Sequence, residues 1–227
     1  MKIFDCFMYF DEDVVLDVRL NFLNDYVDKF IIIESEYNHR GEKREPKFNI
    51  KKFDKFKDKI HYILKKDIPF DIEEISDSDN ENEHYRKSIF NASKRENLQR
   101  NQILDGLKDL EPNDWVIISD LDEIPNLENV DFYNIKNKFL FFQQSMMYYK
   151  FNLKLDNFTW TGSRACKFKH LKSPQWLRNI KTKKRPIWKI FSEKQPQLIQ
   201  DGGWHFSFLK KPENIIKKIN SYSHQEF

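Results

Sequence analysis

Two short apolar runs that end in acid limit what this chain can fold into. They are "KFIIIES" (29–35) and "WVIISDLDEIP" (115–125). Neither alternates with polar residues and neither is long enough for an amphipathic helix, so each reads as a strand covered on both faces. "KIFDCFMYF" (2–10) and "KIHYILKK" (59–66) add two more strands. Between the first two, Val15, Leu16, Leu20, Leu23 and Val27 recur at helical spacing behind Asp11 and Asp13. A long helix is expected over 84–110, with Glu96, Arg100, Ile103, Leu107 and Leu110 on one face. The first 125 residues thus read strand, helix, strand, strand, helix, strand. This is an α/β pattern with a largely parallel sheet and helices on both faces.

The second half is less regular. "FLFFQQSMMYYKFNL" reads as a strand pair, and "NFTWTGSRACKFK", "PIWKIF" and "GGWHFSFL" as short strands or loops. "PENIIKKINSYS" reads as a helix, with Pro212 in its first turn. The polar, acidic stretch 71–84 is expected to be a surface loop and a candidate lid. No linker is visible, so 1–227 is expected to be one domain with two parts, 1–125 and 126–227.

Several function classes are excluded or weakened. Only 5 glycines are present, in no GxGxxG or GxxxxGK[ST] arrangement, so no glycine-rich phosphate loop exists. Cys6 and Cys166 cannot build a disulfide framework, which suggests a reducing compartment. The N-terminus is interrupted by Asp5, unlike a signal peptide, and no apolar stretch approaches the ~20 residues of a membrane span. A cytoplasmic location is expected. With 39 basic and 36 acidic residues, charge does not demand a nucleic-acid partner.

Ligands of open parallel sheets bind beyond the carboxyl ends of the strands. Glu34 and the cluster Asp120, Asp122 and Glu123 stand at such ends. In an extended Asp120-Leu121-Asp122 both carboxylates face one side, which suits a hard divalent cation. A bare DxD is also short enough to be a capping pair at a turn. Glu96 and Arg100 form either an ordinary helical ion pair or, on an inward face near the rim, a clamp for a diphosphate. His205 follows Gly202 and Gly203 in "DGGWHFSF", where it either packs beside Trp204 or completes a metal site.

Four segments in order carry a family resemblance: "KIFDCFMYFDEDVVLDVRLNFLNDYVDKFIIIES", "ENLQRNQILDGL", "WVIISDLDEIP" and "GGWHFSFL" with the later "HQEF". Together they resemble glycosyltransferase family 17, which includes the β-1,4-mannosyl-glycoprotein β-1,4-N-acetylglucosaminyltransferases. The resemblance implies a GT-A-type, Rossmann-like sheet, with 1–125 as the nucleotide-sugar half and 126–227 as the acceptor side. It implies an inverting, metal-dependent transfer, with N-acetylglucosamine moved from a UDP-linked donor to a glycan hydroxyl. Asp120 and Asp122 become the DxD pair, and His205 a third ligand to Mn²⁺ or Mg²⁺. Glu34, Glu96, Arg100, Asn101, Asp120 and Arg164 become donor contacts. The family's eukaryotic members carry an N-terminal membrane anchor that this sequence lacks, so a microbial or viral member is expected.

Direct displacement requires a base. Asp201 is the first expectation, with Glu123 and Glu193 as rivals. Two other readings remain open. One is a metal-dependent phosphoesterase, although the 6 histidines are scattered. The other is a basic nucleic-acid-binding module using Lys181, Lys183, Lys184 and Arg185 beside Trp176 and Trp188.

Overall fold

The computed structural model describes residues 1–181 and 196–209. The parallel half forms as the apolar runs require. Strands β1 (Ile3–Met8), β2 (Lys29–Ser35), β3 (Ile60–Lys65) and β4 (Trp115–Asp120) pair in parallel in the order β3-β2-β1-β4. Their side chains alternate between two apolar layers. Phe7, Phe30, Ile32, Trp115 and Ile117 pack on one face with Leu16, Leu20 and Leu23 of helix α1 (Asp13–Leu23). Cys6, Ile31, Ile33, Val116 and Ile118 face the other way, toward Ile103, Leu107 and Leu177.

The long helix is shorter than expected and starts earlier. Helix α2 spans Glu81–Asn101 and opens with a capping box between Asn80 and Glu83. A 3₁₀ segment, Gln102–Gly106, replaces its last turns. Gly106 lies so close to β2 that an added Cβ would meet Ile31 Cγ2 at 2.5 Å. Close packing on the sheet therefore wins over helical continuity, while Ile103 and Leu107 stay fully buried.

The later strands join the same sheet. β6 (Phe139–Tyr148) is one long strand rather than the first half of a short pair, and β7 (Lys154–Lys167) returns beside it and pairs antiparallel with β4. The short helix α3 (Pro174–Asn179) follows. β8 (Gln197–Ile199) and β9 (Gly203–Ser207) run parallel to β6. β5 (Glu123–Pro125) pairs antiparallel with β9 at the far end of the strand path. Only Leu121 and Asp122 separate β4 from β5 in the chain, so the nine-stranded, mostly parallel sheet must curl from β4 through β7, β6 and β9 to bring its β5 edge back beside β4. The expected elements at "PIWKIF" and "PENIIKKINSYS" lie outside the described residues.

Candidate active site

The curl of the sheet leaves a cavity of ≈ 690 Å³ at the carboxyl ends of β1, β2 and β4. Its wall includes Phe10 beyond β1, Tyr37 to His39 beyond β2, Glu96 and Arg100 on α2, Asp120 to Asp122 in the acidic turn, and His205 and Ser207 on β9.

The acidic turn is held by a chain of alternating charges. Arg100 donates to Glu96 at 2.7 Å and to Asp120 at 2.9 Å. The second Asp120 oxygen accepts from Arg178 at 2.9 Å. Arg178 also donates to both Glu123 oxygens, at 2.6 and 3.0 Å. Glu123 is wholly buried and further accepts from the Trp160 indole at 2.7 Å and the Asp120 amide at 3.0 Å. Buried charge is tolerable only with partners of this kind. Burial by itself would raise the Asp120 carboxyl, but Arg178 and Arg100 hold it well below the usual carboxylate range. Burial opposes charge on both arginines too, and their carboxylate partners outweigh it, so both are pushed up.

A second clamp holds the backbone of the same turn. Arg19 of α1 is fully buried and forms a two-pronged pair with Asp5 of β1, at 2.6 and 2.7 Å. Its remaining Nη1 donates to the carbonyls of Asp120, Leu121 and Glu123 at 3.2, 3.1 and 2.8 Å. On the opposite side, the Phe206 amide donates to the Asp122 carbonyl at 2.8 Å. The turn is thus fixed by an arginine from one layer and by strand β9 from another.

His205 stands opposite Glu123 in the β5–β9 register, with its ring 5.3 Å from that of Trp160. Its Nε2 lies 3.5 Å from Asp122 Oδ1, and its buried Nδ1 has no hydrogen-bond partner. Burial alone would lower its pKa, but Asp122, Glu123 and Asp120 outweigh burial and raise it. Among the described residues no group of three or more His, Cys, Asp or Glu side chains is gathered around one point.

All 227 residues match the family model described as Glycosyltransferase family 17. The chain belongs to glycosyltransferase family 17. A search of curated proteins finds no match. A sugar donor and a sugar acceptor are therefore the partners of this family-17 chain. Among its described residues no helix is long and apolar enough to cross a membrane.

The remaining expected site residues divide clearly. Asp120, Asp122, His205, Glu96 and Arg100 line the cavity together. Glu34 does not line it; its buried carboxylate accepts from the amides of Lys47 and Phe48 and the Tyr62 hydroxyl, and pairs with Arg44. Asn101 accepts from the Gln175 amide and so anchors the start of α3. Arg164 lies over the Phe141 ring at 4.7 Å and donates to the carbonyls of Leu177 and Arg178, as a cation suits a helix C-terminus. Burial and Arg178 push it down to about 10. Asp201 is an exposed turn residue with φ 49, away from the cavity wall. The acidic stretch leans on α2 through Glu73–Arg86 and Asp79–Lys87 and does not line the cavity. Trp176 packs against Phe139 at the core's edge. Glu193, Lys183, Lys184, Arg185 and Trp188 lie outside the described residues.

Three side chains that hold the acidic turn were not legible in the sequence. Arg19 left a signal: it sits at the core-facing spacing of Leu16, Leu20 and Leu23. Arg178 and Trp160 left none, because only the tertiary placement of α3 and of β7 brings them to Glu123.

Proposed function

We propose that this chain is an inverting glycosyltransferase with a GT-A-type donor site, moving N-acetylglucosamine from UDP to a glycan hydroxyl with the help of Mn²⁺ or Mg²⁺. One observation carries the reading: Asp122 and His205 face each other at 3.5 Å on the wall of a large cavity beyond parallel strands, in a family-17 chain. That separation is long for a good hydrogen bond. It suits two adjacent ligands of one cation bound at about 2.1 Å, since such ligands lie roughly 3 Å apart. The mixed nitrogen and oxygen set favours Mn²⁺. Asp122 and His205 would hold the ion, which when bound neutralises the departing diphosphate. Asp120, with both oxygens on arginines, acts as a support for the turn and as a ribose contact.

The chain's own groups do the rest. Tyr37 and Phe10 on the cavity wall offer aromatic surface for the base. Arg100 adds positive charge near the diphosphate. The acceptor oxygen bonds to the anomeric carbon as the carbon–phosphate-oxygen bond breaks, giving a β-linked product from an α-linked donor, and the hydroxyl proton passes to a carboxylate. Besides Asp120 on its arginines and Asp122 at the ion, Glu12 and Glu96 are the carboxylates on the wall, so the base comes from this pair rather than from Asp201 or Glu123.

Calorimetry of UDP-N-acetylglucosamine with and without Mn²⁺ tests the reading. Asp122→Ala and His205→Ala should each weaken Mn²⁺-dependent binding at least about tenfold, with native circular dichroism. Native Mn²⁺-dependent affinity in both variants would remove this pair from the donor site.

A further inference from the structure

Strands β6 and β9 run side by side to the cavity and end together, with Tyr148 opposite Ser207. The next residue on each strand, Tyr149 and Phe208, then turns into the left-handed backbone region, at φ 61 and 56. Among the described residues the other non-glycine residues with positive φ are Asn157 and Asp201, types that adopt it readily. A bulky aromatic residue does not, and two adjacent ones held this way need a reason. Their rings are stacked, with centroids 6.1 Å apart and planes at 24°, and both line the cavity. The Tyr149 amide donates to the Ser207 carbonyl at 3.0 Å, which fixes the pair where the strands end. Tyr149 is 54% exposed despite its apolar ring.

We infer that Tyr149 and Phe208 form the platform on which the acceptor's pyranose ring stacks; this rests on the glycosyltransferase reading above. A pyranose has an apolar face of C–H groups and a polar edge of hydroxyls. The stacked rings match the face, and Ser207 and Asp122 on the same wall match the edge. Phe208 follows Ser207, the last residue of β9, which stands two residues and roughly 7 Å beyond His205 along a strand rising about 3.3 Å per residue. That distance leaves room for the donor sugar at Asp122 and His205 and for one acceptor ring beside it. The backbone strain keeps both rings turned into the cavity instead of folding back on the sheet.

The test uses the full chain with Mn²⁺, UDP-N-acetylglucosamine and p-nitrophenyl glycosides of mannose, glucose, galactose and N-acetylglucosamine. Tyr149→Asn and Phe208→Asn remove each ring while keeping a residue that accepts positive φ, so the fold is not put at risk. Each should raise KM for the best acceptor about tenfold and leave the donor Kd at its native value. Tyr149→Phe should keep a native acceptor KM. An unchanged acceptor KM in both Asn variants overturns the platform, as does a donor Kd that weakens in step with it. A wild type that binds donor but transfers to none of the four glycosides overturns the pyranose acceptor. A wild type that does not bind donor overturns the functional reading itself, and the platform falls with it.

Discussion

His39 and His205 share the cavity wall but shift in opposite directions from the usual value of 6.5. Burial lowers His39, against the pull of Glu96 and Gln99. The unfolded chain therefore takes up a proton near pH 6.5 that the native His39 refuses, and stability falls as pH drops from 6.5 toward its lowered value. His205 has the reverse sign: its contribution is complete below pH 6.5 and is lost as pH rises through its raised value. Urea titrations of metal-free protein between pH 5 and 8 should separate the two. His205→Gln should cost more stability at pH 5.5 than at pH 8, whereas His39→Gln should flatten the acid side of the curve. Equal costs for His205→Gln at both pH values would mean that its pairing with Asp122 contributes nothing. Single residues were only partly legible in the sequence. Asp120 and Asp122 stood out in the sequence because they close an apolar run, and His205 because it follows Gly202 and Gly203. The opposite shifts depend on neighbours that only the folded sheet supplies.

At the scale of elements, α1 does more than cover a face of the sheet. Its Arg19 joins Asp5 in β1 to three carbonyls of the acidic turn, so one side chain ties helix, strand and turn together. Arg19→Met leaves the Asp5 carboxylate buried without a counter-charge, which should cost about 3–5 kcal/mol in urea unfolding. Adding Asp5→Leu removes the stranded charge and should recover a substantial part of that loss. It cannot restore the three carbonyl contacts, so donor affinity should stay low in the double variant. Native donor affinity there would show that the turn holds its shape without Arg19. The strands around this clamp were legible because two-sided burial leaves unbroken apolar runs such as Phe30 to Ile33. The end of α2 was not: Ile103, Leu107 and Leu110 keep a helical spacing, yet the close approach of Gly106 to Ile31 imposes a tighter turn.

Across the whole molecule, the site depends on a sheet whose β5 edge returns to β4 in its middle. β4 delivers Asp120, and β9 delivers His205 from the far end of the strand path. The parallel half could be read from its sequence because each strand carries its own pattern. The return could not, since nothing within "DGGWHFSF" states that it pairs with β5 and β6. Gly203 is where that return is most exposed to test. It holds φ 118, and an added Cβ would meet the Ile124 carbonyl oxygen at 2.1 Å and the Asn126 amide at 2.7 Å. Both contacts are backbone atoms, so no side chain can swing aside. Gly203→Ala must therefore push β9 off β5 as well as strain its own backbone, and should cost more than about 3 kcal/mol. The loss should be uneven. Hydrogen exchange should rise first at Glu123–Pro125 and Gly203–Ser207, while β1, β2 and β4, buried between two apolar layers, stay protected. Donor binding should fall even at temperatures where the variant remains folded, because His205 no longer faces Asp122. Uniform exchange across all strands would show instead that the curled end and the parallel block unfold as a single cooperative unit.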